Sequence, residues 1–189
     1  MKYLTLLTLV LVSINSFSQG QSDNNSFAAF IKINNKQFNK LIGTKYPDFN
    51  IKTSYSLTLS NKDLANKVVF INFWAEHCSP CIAETDGLIQ LYSKLQKYPD
   101  FKFISFSYDP DSTIDKLVKR YNINFKVFHL DRTEFLRLNF NNGIPTSIIL
   151  DRNGTIRYFV CGGPGNKEQS TRYIMTYVYP QILQLIENK

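Results

Sequence analysis

Two of the three cysteines in the chain stand three residues apart, in the stretch "NFWAEHCSPCIAE" over residues 72–84. Thiols at this spacing can grip a metal, staple the fold or trade electrons. A metal site asks for further donors, because a structural zinc ion is closed by four Cys or His ligands. Beyond Cys78 and Cys81 the soft donors are His77, His129 and Cys161, and there is no second CxxC and no HxxxH. Soft thiolates do suit Cu(I), so a copper-binding or metallochaperone-like module stays open as the alternative from another class. A staple across so short a loop removes little unfolded-state entropy. Exchange fits the spacing best: one thiolate attacks a foreign disulfide, and a second thiol within reach releases the mixed disulfide.

The flanking sequence would place the pair for that chemistry. "KVVFINFW" at 67–74 is a near-continuous run of β-branched and aromatic residues, the pattern of a strand buried on both faces. After it, Ile82, Leu88, Leu91, Tyr92 and Leu95 fall near helical spacing, interrupted by Gly87, and Pro80 sits in the first turn, where a helix tolerates it. Cys78 then lies at a helix N-terminus, whose unpaired N–H groups stabilise a thiolate and lower its pKa to about 3.5–7.5 from near 8.5. Cys78 is the expected attacking thiol. Cys81, on the same helical face and deeper, is the expected resolving thiol.

The remaining pattern alternates strands and helices. "FKFISFSYD" at 101–109 reads as a strand, "STIDKLVKRYNI" as a helix with Ser112 as N-cap, "FKVFHLD" as a third strand and "RTEFLRLNFN" as a short helix. "PTSIILDRNGTIRYFVCGG" is two apolar runs joined by Asp151-Arg152-Asn153-Gly154, a hairpin. From Lys167 a helical stripe of Ile174, Val178, Ile182 and Ile186 follows, with Pro180 expected to kink or divide it. This order predicts an α/β fold with a central mixed sheet flanked by helices. Residues 27–45 read as a short hairpin or helix ahead of the core, and 46–64 as extended chain with a turn and a short helical turn.

Composition narrows the setting. A chain of 189 residues that is 43% hydrophobic buries one good core. The start, "MKYLTLLTLVLVSINSFSQG", has Lys2, an apolar stretch over 4–12 and a small-x-small site at Ser16-Phe17-Ser18. It predicts a secretory signal over 1–18 cleaved near Ser18, with a retained anchor as the alternative, then a polar leader and extension over 19–44 and a domain over 45–189. The product is expected in the periplasm or cell envelope. The formal charge of +7 is spread along the chain without a basic run interleaved with aromatics, which argues against nucleic acid as a partner.

Taken together, "VVFINFWAEHCSPCIAE", "YPDFNI" and "GIPTSIILDRNGTI" resemble, in order and separation, the thioredoxin superfamily, and within it the TlpA/ResA-like (AhpC/TSA-type) envelope thiol-disulfide oxidoreductases. The resemblance spans about residues 45–188 and implies a thioredoxin-like fold with an N-terminal extension. It implies that Ile144-Pro145 is a cis peptide facing Cys78, that Pro145 leaves neighbouring chain free to pair with an extended substrate, and that Ile144 helps set substrate fit. Glu84, three residues after Cys81, matches the family's active-site glutamate. Shielded from water, it would have a raised pKa and relay protons to or from Cys81. Asn72 stands where cytosolic thioredoxins have a buried Asp, which leaves Glu84 as the relay candidate. Trp74, His77, Ser79, Pro80 and Ile144 are the expected substrate-facing residues.

The implied activity is protein-disulfide reduction in exported proteins, apocytochrome c among the candidates, with a dithiol oxidase as the rival direction. The redox couple Cys78–Cys81 itself serves in place of any cofactor or metal. The implied partners are disulfide-containing envelope proteins and a membrane-embedded thiol donor of DsbD/CcdA type, with the protein a monomer. Three positions depart from the family pattern or stand outside it. His77 precedes Cys78 where an aromatic is usual, Lys126 replaces a common proline, and Cys161 ends the hairpin beside the implied proline loop as a buried thiol or a third redox participant. His129 reads as a satisfied structural histidine.

Overall fold

The computed structural model describes residues 27–52 and 58–188. The expected signal over 1–18 and the first part of the leader lie outside the described residues. The sheet is built around β3 (Val68–Trp74), in which every residue is buried, as its unbroken apolar run requires. β4 (Phe101–Ser107) runs parallel to it on one side and β6 (Thr146–Leu150) antiparallel on the other. β5 (Val127–His129) and β7 (Ile156–Cys161) complete a five-stranded mixed sheet in the order β5-β4-β3-β6-β7.

Alternation along β3 divides the interior in two. Val68, Phe70 and Trp74 meet Leu88, Leu91 and Leu95 of α2 (Ser79–Leu95) and the C-terminal residues Ile174, Val178 and Ile182. Val69, Ile71 and Phe73 face the other way, onto Phe135 and Leu138 of α4 (Arg132–Leu138) and onto Phe38, Tyr46 and Phe49. The fold is the thioredoxin-like α/β arrangement expected.

Several local readings need correcting. Gly87 does not interrupt α2. A side chain there would meet Ile174 Cδ1 at 2.8 Å and the Thr171 Cα at 3.0 Å, so the glycine lets the helix pack closely against α5 (Lys167–Tyr173). Helix α3 (Asp111–Arg120) starts one residue before Ser112; Pro110 is at its N-cap position and its carbonyl accepts the N–H groups of Thr113 and Ile114. The C-terminal stripe does divide beside Pro180, which sits in the first turn of α6 (Tyr179–Glu187), but the segment before it, Ile174–Val178, is a π-helical turn that the sequence pattern did not announce.

Ahead of the core, residues 27–38 are helical (α1). Residues 43–46 then lie along β7: Gly43 N–H donates to the Ile156 carbonyl, Ile156 N–H to Thr44, and Tyr46 N–H to Gly154. A small hairpin, β1 (Asn50–Lys52) with β2 (Thr58–Ser60), and a 3-10 turn over Asn61–Leu64 lead into β3. Between β6 and β7, Asp151 Oδ1 accepts the N–H groups of Asn153 and Thr155, and Gly154 takes φ +70° to close the turn. Among the described residues, no helix is long and apolar enough to cross a membrane.

Candidate active site

Cys78 is the N-cap of α2, and its sulfur accepts the N–H of Cys81 at 3.3 Å. The two cysteines are joined as a disulfide with Cα atoms 5.2 Å apart. Cys78 is 8% exposed and Cys81 only 2%, so Cys78 is the sulfur an incoming group can reach.

The loop leading to Cys78 is held by a residue the sequence reading passed over. Asp109 Oδ2 accepts the N–H of Glu76 at 2.7 Å and the hydroxyl of Ser107 at 2.9 Å. Its own N–H donates to Ser107 Oγ, and its carbonyl pairs with His129 Nδ1 at 2.8 Å. His129 is thus a structural histidine tying β5 to this loop. The available signal was position: Asp109 closes the "SFSYD" run at the C-terminal end of a parallel strand, where such sheets place functional groups.

Glu84 lies one turn beyond Cys81, only 7% exposed, and its Oε1 accepts the amide N–H of Asn72 at 2.8 Å. Burial disfavours the carboxylate and outweighs the Asn72 hydrogen bond that favours it, pushing the pKa up to about 8. Asn72 and Trp74 share the α2 side of β3 by strand alternation. Trp74 is 4% exposed, and among the described residues its indole N–H has no partner. It therefore underlies the site and offers little surface to a substrate.

The Ile144–Pro145 peptide is cis. Pro145 is buried at the head of β6, and its carbonyl accepts the N–H of Gly162 at 2.7 Å. A Cβ on Gly163 would stand 3.7 Å from both Glu84 Oε2 and the Pro145 ring, so carboxyl, proline and the loop after β7 converge on one point. Ile144 is half-buried, Ser79 exposed and Pro80 half-buried. His77 is almost fully exposed, its Nε2 3.8 Å from the Glu76 carboxylate. Cys161 is a free, half-buried thiol, its sulfur 3.6 Å from where a Cβ on Gly143 would lie. Lys126 stands over the Phe128 ring at 5.0 Å. Among the described residues, no group of three or more His, Cys, Asp or Glu is arranged to hold a metal ion.

A CxxC disulfide capping a helix that follows the central strand of a thioredoxin-like sheet defines a thiol-disulfide oxidoreductase of the thioredoxin superfamily, TlpA/ResA-like in type. The comparisons agree. Residues 42–159 match the AhpC/TSA family, and the chain belongs to that family. It is 31% identical to the thiol-disulfide oxidoreductase ResA of Oceanobacillus iheyensis, over 68% of this chain and 70% of that one. Against the protein of the same name from Bacillus anthracis it is 30% identical, over 70% and 76%. Among solved structures, a thiol:disulfide interchange protein of the thioredoxin family from Chlorobium tepidum TLS superposes with a TM-score of 0.56 at 24% identity, covering 70% of this chain and 94% of that one. A secreted thiol-disulfide isomerase from Corynebacterium glutamicum gives 0.61 at 19%, covering 76% and 86%. These two likenesses concern the fold.

Proposed function

We propose that the protein is exported, with its signal cleaved near Ser18, and reduces disulfides in polypeptides of the cell envelope, apocytochrome c among the candidates. In this reading it acts as a monomer without a bound cofactor and is returned to the dithiol form by a membrane-embedded thiol donor of DsbD/CcdA type. The observation that carries the reading is the Cys78–Cys81 disulfide at the N-terminus of α2, with Glu84 one turn beyond Cys81.

Two electrons pass from the dithiol to the substrate disulfide. The Cys78 thiolate attacks one sulfur of the substrate disulfide, forming a mixed disulfide and expelling the other substrate sulfur as a thiolate. Cys81 gives up its proton and attacks the Cys78 sulfur of the mixed disulfide, breaking that bond and expelling the second substrate sulfur as a thiolate; with the Cys81 proton and one from water the substrate leaves as a dithiol and the protein is left oxidised. Helix α2 favours the Cys78 thiolate through its unpaired N–H groups, one of which already points at the Cys78 sulfur. Glu84, whose pKa burial pushes up to about 8, is suited to take the Cys81 proton and return it. Pro145, lacking an N–H, leaves a surface against which an extended segment can align, while Ile144, His77, Ser79 and Pro80 form its rim.

The test is titration of the Cys78/Cys81 couple of the mature protein against thiol buffers without metal. A potential near or below about −220 mV supports a reductase, one near −120 mV turns the reading into an oxidase, and the lack of a reversible couple sinks exchange altogether. Trapping with Cys81→Ser would then identify the substrate as a stable mixed disulfide on Cys78.

A further inference from the structure

Residues 161–163, at and after the end of β7, form one wall of the site, and they are anchored by Pro145 and also from outside the family-matched segment, by Asn34. β7 is an edge strand, and the outward groups of an edge must be satisfied or shielded. Near its start the partner is main chain, from residues 43–46. At its end the partner is a side chain: Asn34 Oδ1, on α1, accepts the N–H of Cys161 at 2.9 Å.

Asn34 is 4% exposed and is itself fixed, because its Nδ2–H donates to the Phe30 carbonyl one turn back, at 3.1 Å. Phe30 reaches the same loop, with a ring carbon 3.7 Å from where a Cβ on Gly162 would stand. Helix α1 is held to the body by Phe27 and Phe30, whose rings each lie 5.7 Å from that of Tyr173. One residue past Cys161, Gly162 turns at φ +90° and donates its N–H to the Pro145 carbonyl; one further on, Gly163 abuts both Pro145 and Glu84.

We propose that Asn34 is a positioning residue for disulfide exchange, holding the end of β7 so that residues 161–163 keep the Pro145 wall in place for an extended disulfide-bearing peptide. This rests on the reading of Cys78–Cys81 as an exchange couple. Asn34 touches neither sulfur, so its effect falls on the docking of a polypeptide and not on the reactivity of Cys78.

The test compares full-length wild type, Asn34→Ala, Asn34→Asp and Phe30→Leu in the reduced state. Each is reacted with hydroxyethyl disulfide and with an extended peptide carrying a disulfide. Asn34→Ala is expected to raise KM for the peptide about 3- to 10-fold, the effect of losing one partly buried hydrogen bond, and to leave the hydroxyethyl disulfide rate within about twofold. Asn34→Asp keeps an acceptor oxygen for Cys161 but loses the donor to the Phe30 carbonyl, and is expected to restore KM in part. Phe30→Leu keeps the hydrogen bond but thins the contact at Gly162, and is expected to raise KM for the peptide less; it carries the test should Asn34→Ala fail to fold. Equal losses on both disulfides, or unchanged peptide kinetics in Asn34→Ala or, failing that variant, in Phe30→Leu, overturn the role of Asn34. A wild-type protein that exchanges with neither disulfide instead refutes the exchange reading, and the positioning role goes with it.

Discussion

Replacing Glu84 by Gln removes an ionisable group whose folded and unfolded states disagree about when to lose a proton. Unfolded, the carboxyl ionises around 4.5; folded, burial holds the proton until about 8. Between those values the unfolded chain binds fewer protons than the folded one, so stability falls as pH rises. The contribution is fully present below pH 4.5, is lost progressively up to about pH 8, and is level above. At about 1.4 kcal/mol per pH unit the gap between 4.5 and about 8 corresponds to about 5 kcal/mol. Gln keeps the size of the side chain and an oxygen for the Asn72 N–H, but has no proton to lose. Urea unfolding of the oxidised wild type and Glu84→Gln from pH 4 to 9 isolates the site, because all other titrating groups are common to both. The variant should gain on the wild type by several kcal/mol across that window. Curves that run parallel within about 1 kcal/mol would show that Glu84 is not held protonated by burial, and the relay would lose its physical basis.

Two further outcomes test the scaffold. Asp109→Ala leaves the Glu76 N–H and the Ser107 hydroxyl without their common acceptor; a loss of about 1–3 kcal/mol is expected, with faster hydrogen exchange at the Glu76 amide as the local signature. Gly87→Ala drives a methyl against Ile174 and the Thr171 backbone and should cost about 1–3 kcal/mol in thermal or urea unfolding, whereas Gly165→Ala, with nothing within 4 Å of its Cβ, should be close to neutral.

What the sequence disclosed and what it withheld follow one physical division. β3 and the β6–β7 hairpin were legible because an unbroken apolar run and a turn flanked by two such runs are local patterns with few alternative folds. The cysteine pair was legible for the same reason, its geometry being set within one turn of helix. Gly87 was misread because its intrinsic helix cost is visible locally, while its gain, close approach of α5, depends on a segment some 84 residues away in sequence. Asn72 was read as a missing acid, yet it is the hydrogen-bond partner of Glu84, 12 residues on. Asn34 and Cys161 are 127 residues apart, and no composition or period marks either as the other's partner. The polar groups that hold the site together are thus the part least written in local pattern.

Reduction of the disulfide would bring two acids into competition at the head of α2. The helix N-terminus favours negative charge at Cys78, while burial resists it at Glu84, one turn past Cys81. A Cys78 thiolate should therefore hold Glu84 protonated to still higher pH, and ionised Glu84 should raise the Cys78 pKa in return, so that the pair titrates in two macroscopic steps. Following the Glu84 carboxyl by 13C NMR against pH in reduced Cys81→Ser and in Cys78→Ser/Cys81→Ser isolates the effect of the thiolate on Glu84. Glu84 should hold its proton to higher pH in Cys81→Ser, where Cys78 ionises first, than in the double variant. Equal Glu84 titrations in the two would mean that the groups do not sense each other, and proton transfer through Glu84 would then have no electrostatic link to the attacking sulfur.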